Sequence, residues 1–220
     1  MNNFRNKIVF ILIITFVVMN YGVLAQSTPL IVNLQDAKNA VKQYHTSEQY
    51  IKDMDKIIDD ALLNIRQLKL PPNPAFVFDI DETALSNLAY ELKYSFGYDP
   101  KTWDEWMLEA AAPALVPVKR FYDSLIKRGI HILLITGRKA NLYEATISNL
   151  KKEGYIKFDT LICKGPEFSG KKAVEYKSQK RMELSKKYNI IGSIGDQWSD
   201  SEGGWTILKI KLPNYMYFIE

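Results

Sequence analysis

Ala75-Phe76-Val77-Phe78 runs without a polar side chain straight into Asp79-Ile80-Asp81-Glu82, three carboxylates in four positions, with Thr83 next. An apolar run that stops so abruptly reads as a buried strand of a parallel sheet, residues 75–79, ending in charge. On extended backbone, residues two apart point the same way, which would set Asp79 and Asp81 side by side at the strand's carboxyl end. Adjacent carboxylates repel, and a fold keeps such a pair when a cation or a catalytic task compensates. The run therefore fixes a strand inside a sheet and marks its end as a site of chemistry.

The rest of the chain supplies the sheet. Apolar runs at residues 131–135, 160–163, 190–194 and 206–210 alternate with helical patterns at 118–127, 142–153 and 172–188. This order predicts an α/β fold, a parallel sheet flanked by helices on both faces. Two helices precede it within residues 26–70. Asn33 caps the first, 34–44, and Thr46 with Gln49 forms a capping box for a second that reaches Gln67. Ile51, Met54, Ile58, Ala61 and Ile65 give the second helix an apolar stripe. Pro71, Pro72 and Pro74 then stop helical structure before the first strand. Residues 87–117 break the alternation. Their aromatics (Tyr90, Tyr94, Phe96, Tyr98, Trp103, Trp106) predict a small cap insertion whose rings form mostly its own core, with one or two facing a ligand.

Arg5 and Lys7 precede an apolar run over 8–19, and Val23-Leu24-Ala25 offers small residues at a cleavage site. Residues 1–25 thus read as an export signal, too short for a transmembrane helix, whose removal after Ala25 leaves no stable membrane anchor and a secreted or periplasmic product. Residues 26–220 suffice for one domain. They carry 27 basic and 25 acidic residues, a balance that argues against a nucleic acid polymer as partner, and the Lys151-Lys152, Lys171-Lys172 and Lys186-Lys187 pairs read as solvated faces of separate helices. Cys163 is the only cysteine, so no internal disulfide forms, and it reads as a core residue. His45, at a helix end, and His131, at a strand start, read as structural.

Three polar clusters fall at predicted strand ends: Asp79-Ile80-Asp81, Thr136-Gly137-Arg138 and Gly195-Asp196-Gln197-Trp198-Ser199-Asp200. In open parallel sheets, ligands bind beyond those ends. Each cluster alone is ordinary; the ordered set suits phosphoryl transfer. A carboxylate that attacks a phosphate dianion needs a hard cation, Mg²⁺, held by carboxylates. Asp79 and Asp196 are the natural pair for it, with Asp81 contributing a backbone carbonyl. Thr136, backbone N–H groups such as that of Gly137, and a lysine would hold the other phosphate oxygens, while Arg138 either reaches the phosphate or pairs with a carboxylate. Asp81 would protonate the leaving oxygen and then activate water.

With Leu85-Ser86-Asn87, the Trp103 and Trp106 pair, Tyr176-Lys177-Ser178 and Lys211-Leu212-Pro213-Asn214 added, the set resembles the haloacid dehalogenase (HAD) superfamily. Within it, the chain is similar to the secreted acid phosphatases related to plant vegetative storage proteins and bacterial class C acid phosphatases. The resemblance runs from about Pro74 onward. It implies a HAD-like Rossmannoid sheet, Asp79 as nucleophile, Asp81 as acid–base, Asp196 as Mg²⁺ ligand, Asp200 as an outer or accessory metal carboxylate, and Thr136 on the phosphate. Lys177 aligns with the lysine that steadies the phosphate, with Lys172 and Lys180 close by. The substrate implied is a small phosphomonoester, for which the aromatics suggest nucleoside monophosphates. A weakly active storage or phosphate-ligand-binding protein and a phosphotransferase are the alternatives, and a homodimer is an open option for the assembly.

Overall fold

The structure, a computed structural model, describes residues 31–219; the export signal and its cleavage site lie outside the described residues. Five strands form one sheet: β1 (Pro74–Phe78), β2 (His131–Lys139), β3 (Thr160–Lys164), β4 (Asn189–Gly195) and β5 (Leu208–Lys211). Their order is β3-β2-β1-β4-β5, and every neighbouring pair is parallel. The strand that carries the carboxylates is thus central, bonded to β2 on one side and β4 on the other, as its lack of polar residues requires.

Alternation along β1 divides the core. Phe76 and Phe78 belong to one cluster with Ile132, Leu134 and Ile191, while Ala75 and Val77 belong to another with Leu133, Ile135 and Ile190. The first face is covered by α2 (Glu48–Gln67) and α5 (Val116–Lys127), whose Met54, Ile58, Val118 and Phe121 are fully buried. Phe76, Phe78 and Phe121 meet with ring centroids 5.2–5.8 Å apart. Burying each of these rings contributes about 1.5–3 kcal/mol. The second face is covered by α7 (Ala173–Ser185), which brings Tyr176 against Phe168.

Two expectations at the start of the domain change. Ser47, not Thr46, caps α2, because Thr46 closes the preceding helix α1 (Leu34–His45) and turns its hydroxyl back to the Lys42 carbonyl. The buried stripe of α2 begins at Tyr50, while Ile51 sits at its edge and is 41 % exposed. The last strand starts at Leu208, two residues later than expected, and β2 runs on through Thr136-Gly137-Arg138 with an irregular register against β3. Lys171-Lys172 precede α7 and Lys186-Lys187 follow it.

The insertion expected over 87–117 folds as α3 (Leu88–Lys93) and α4 (Pro100–Glu109), joined by the loop 94–99, and ends two residues early, where α5 begins at Val116. Tyr90 is the hub of this insertion, packed on Tyr94, Trp103 and Trp106 and hydrogen-bonded to Thr102. Asn149, on α6 (Tyr143–Lys152), clamps its far end by bonding both the N–H and the C=O of Ala112. His131 pairs with Asp159 at the start of β2, and His45 is buried in an aromatic nest that pushes its pKa down to about 4; both are structural. Among the described residues, no helix is long and apolar enough to cross a membrane.

Candidate active site

Asp79 is the first residue past β1, and its N–H still donates to the Ile194 carbonyl, which locks it to β4. Its Oδ1 accepts from Lys177 Nζ at 2.7 Å. The same ammonium bonds Asp200, so a lysine from α7 bridges two carboxylates from β1 and from the turn after β4. Asp196 completes the group: Asp79, Asp196 and Asp200 each place one carboxylate oxygen within 4.8 Å of the others, all three buried. Gly195 is required here, since a Cβ on it would run into the Asp200 carboxylate.

Each acid is fixed by neighbours. Asp196 Oδ2 accepts from Gln197 Nε2 at 2.6 Å and from Asn214 Nδ2 at 2.7 Å. Asp200 Oδ2 accepts the Gln197 N–H at 2.8 Å, as a cap on its own turn. Thr83 joins the two loops: its Oγ1 accepts the Asp196 N–H at 3.1 Å and lies 3.4 Å from Asp79 Oδ2. Burial pushes Asp79 well above the usual carboxylate range, against the pull of Lys177, and the other acids push the same way. Burial and then Asp200 raise Asp196 to about 7. Burial alone would lower Lys177, but Asp200 and Asp79 hold it above the ordinary ammonium range.

Asp81 stands apart from this cluster. Arg138 grips it through Nε at 3.0 Å and Nη2 at 2.7 Å, with the guanidinium side chain 1 % exposed. Of the two roles open to Arg138 in the sequence, the carboxylate partner is the one observed. Asp79 and Asp81 share one cavity of about 180 Å³, yet each faces its own cation. The chain turns after Phe78 instead of continuing extended, so the pair is not stacked two residues apart on a strand.

Gly137 lines the cavity; Thr136 is fully buried in β2, where its hydroxyl accepts the Arg138 N–H at 3.1 Å. Of the three lysines, Lys177 enters the cluster, whereas Lys180 bonds Glu183 and lies 5.0 Å above the Phe168 ring. The chemistry of the donors fits a hard divalent cation: three buried carboxylates that a single lysine bonds among the described residues, two of them aimed by amide donors. Ser199 Oγ, buried on the same cavity without a partner among the described residues, is a further oxygen left for a ligand.

Several residues at the site were not singled out from the sequence. Glu82 is 1 % exposed with φ 52°, a strained conformation held because its carboxylate accepts the Asn87 N–H, Asn87 Nδ2 and the Tyr217 hydroxyl. Burial and the Asp81 charge push it up to about 8 despite those donors. Asn87 also donates to Asp81, and Trp106 Nε1 donates to Asn87 at 2.9 Å, so the insertion is tied to the acid–base candidate. Residues 214–219 roof the site: Asn214 on Asp196, Tyr217 on Glu82, and the Ile219 N–H on Gln197 Oε1.

The folded pKa values of Glu82 and Glu91, about 8 and about 7, exceed the ordinary 4.5, so folding favours their neutral forms. The stability they contribute is full below pH 4.5 and is lost as pH rises through 7 to 8. Metal-free protein is expected to melt about 10 °C or more lower at pH 8 than at pH 5, as calorimetry can record. A melting point that rises over that interval contradicts the assignment.

A parallel sheet with a buried carboxylate cluster and one lysine beyond its central strands defines an acid-phosphatase-like hydrolase of the HAD type. The chain belongs to one branch of it: a family model described as HAD superfamily, subfamily IIIB (acid phosphatase), matches residues 21–220. The chain is 38 % identical over 193 residues to the stem 28 kDa glycoprotein of Glycine max, covering 84 % of this chain and 76 % of that one. It is 33 % identical over 192 residues to acid phosphatase 1 of Solanum lycopersicum, covering 84 % and 75 %. Among solved structures it is similar to the class C acid phosphatase of Bacillus anthracis, with a TM-score of 0.71, 26 % identity, and 85 % and 87 % of the two chains covered.

Proposed function

We propose that this chain is an exported, Mg²⁺-dependent phosphomonoesterase that works through a phosphoaspartyl intermediate on Asp79. The observation that carries the reading is the Asp79–Lys177–Asp200 bridge beside Asp196, at the base of a cavity that Asp81 also faces. The related Bacillus anthracis enzyme has also been solved with tungstate bound, and a tetrahedral oxyanion is what such a site suits. Export is supported by Arg5, Lys7 and the apolar run after them.

An Asp79 oxygen attacks phosphorus while the bond from phosphorus to the ester oxygen breaks. That oxygen leaves with the electron pair and takes the proton of Asp81. Asp81 then draws a proton from water as the water oxygen attacks phosphorus. The Asp79–phosphorus bond breaks, inorganic phosphate leaves, and both acids regain their starting states. Asp79, Asp196 and the Asp81 carbonyl, with Asp200 behind them, would hold Mg²⁺, which when bound would neutralise charge between carboxylate and dianion. Lys177 steadies the phosphate from one side, and Thr136 and the Gly137 backbone from the other. Arg138 keeps Asp81 aimed, with its Nε and Nη2 both on the carboxylate.

A panel of small phosphomonoesters, assayed at several pH values with Mg²⁺ and with EDTA, tests this reading. Hydrolysis should fall by about 10²-fold or more in EDTA and return on adding Mg²⁺. Turnover indifferent to EDTA removes the metal, and no turnover of any ester favours the binding or storage alternative.

A further inference from the structure

A second cavity, of about 400 Å³, adjoins the first and shares Asp81, Gly137, Tyr217 and Ile219 with it. A group esterified to a phosphate on Asp79 can project past Asp81 into this space. Five aromatic rings wall it: Phe96 and Tyr98 from the loop 94–99, Trp103 from α4, and Tyr217 and Phe218 from the roof. One charged side chain among them has no explanation in the chemistry above. Glu91, on α3, lines the cavity, is only 6 % exposed, and among the described residues its carboxylate has no hydrogen-bond or ion-pair partner. Burial alone pushes its pKa up to about 7, with no donor or cation to offset it.

The Glu91 oxygens stay open to the cavity and meet no protein donor among the described residues, whereas a carboxylate with a structural role would come with one. The other charged groups on this cavity, Asp81 and Arg138, are already satisfied by one another. Aromatic faces present negative potential and attract cations, and a carboxylate among several such faces is a combination suited to an organic cation. Phosphate and cation then sit at opposite ends of one ligand, the dianion over Asp79 and Lys177 and the positive group between the rings.

We infer that the preferred substrates are phosphomonoesters whose alcohol carries an organic cation, a protonated or quaternary amine, and that Glu91 with the surrounding rings selects it. This assignment rests on the phosphomonoesterase reading and names its substrate class. It sets aside the neutral nucleosides that the aromatics alone suggest.

The test compares choline phosphate with 3,3-dimethylbutyl phosphate, which replaces the quaternary nitrogen by carbon and keeps the shape. Wild-type protein should show kcat/KM higher for the cationic ester by about tenfold or more, carried mainly by KM. In Glu91→Gln that ratio should fall toward one, and Glu91→Asp should recover part of it. Equal rates for the two esters in wild type, or a ratio untouched by Glu91→Gln, overturn the inference and leave the phosphatase reading intact. Hydrolysis of neither ester, nor of an aryl phosphate, counts against the phosphatase reading instead. Calorimetric binding of choline against 3,3-dimethylbutanol to the wild-type protein then decides the cavity's preference without any turnover, and equal or absent binding of the two overturns it.

Discussion

Asp79→Asn is expected to lower kcat for phosphomonoester hydrolysis by about 10³-fold or more while the protein folds as before. The amide keeps the shape and one acceptor oxygen for Lys177, so the bridge to Asp200 persists. What disappears is the nucleophile. Because the substitution also removes one of three crowded buried carboxylates, stability at neutral pH should hold or rise. Single-turnover assays on an aryl phosphate, paired with thermal melts, separate the two effects. Hydrolysis retained within tenfold of wild type would end the covalent mechanism.

The second large effect is expected at Lys177. Lys177→Met replaces the ammonium by an apolar group of similar length and leaves Asp79, Asp196 and Asp200 without the one side-chain cation that bonds the cluster, Lys211 and Arg181 acting on it only through space. Removing one partner of a buried ion pair costs about 3–5 kcal/mol, and a loss of that order is expected at pH 7 without metal. The deficit should shrink at pH 5. Asp79 and Asp196 have folded pKa values above the ordinary range, so protonation relieves the repulsion as pH falls. Added Mg²⁺ should recover part of the lost stability by mass action, since it binds only the folded cluster. Urea unfolding at both pH values, with EDTA and with Mg²⁺, reads all three. A variant as stable as wild type at pH 7 in EDTA would mean that Lys177 neutralises nothing.

The sheet was legible because each central strand is an apolar run bounded by charge or glycine, and a parallel sheet covered on both faces leaves that pattern intact. The boundaries were less so. Thr136-Gly137-Arg138 looks like a turn because of its glycine, yet the ladder resumes at Lys139 opposite Lys164. At the site, Asp79, Asp196, Asp200 and Lys177 were visible through their spacing and the family resemblance, and the structure gathers all four. Glu82 was not, since a third acid after Asp81 carries no mark of its backbone angle or of the donors it meets. Tyr217 was hidden for another reason: it reaches Glu82 from a coil segment without hydrophobic period, whereas Asn214 stood in a quoted motif without its role on Asp196. Arg138 stayed ambiguous because an arginine suits a phosphate and a carboxylate equally well, and only three-dimensional placement chooses.

The two cavities have walls of unequal freedom. Ile219, on the roof, bonds Gln197, which bonds Asp196, and Tyr217 bonds Glu82, which shares Asn87 with Asp81, so a change there alters the chemistry along with the fit. Phe96 and Tyr98 belong to the loop 94–99, which lines only the outer cavity and is joined to the reacting carboxylates by no hydrogen bond among the described residues. Substrate range in this lineage can therefore drift through one short loop while the phosphoryl-transfer machinery is inherited unchanged. An engineer who wants a new ester accepted should diversify that loop and leave the roof alone.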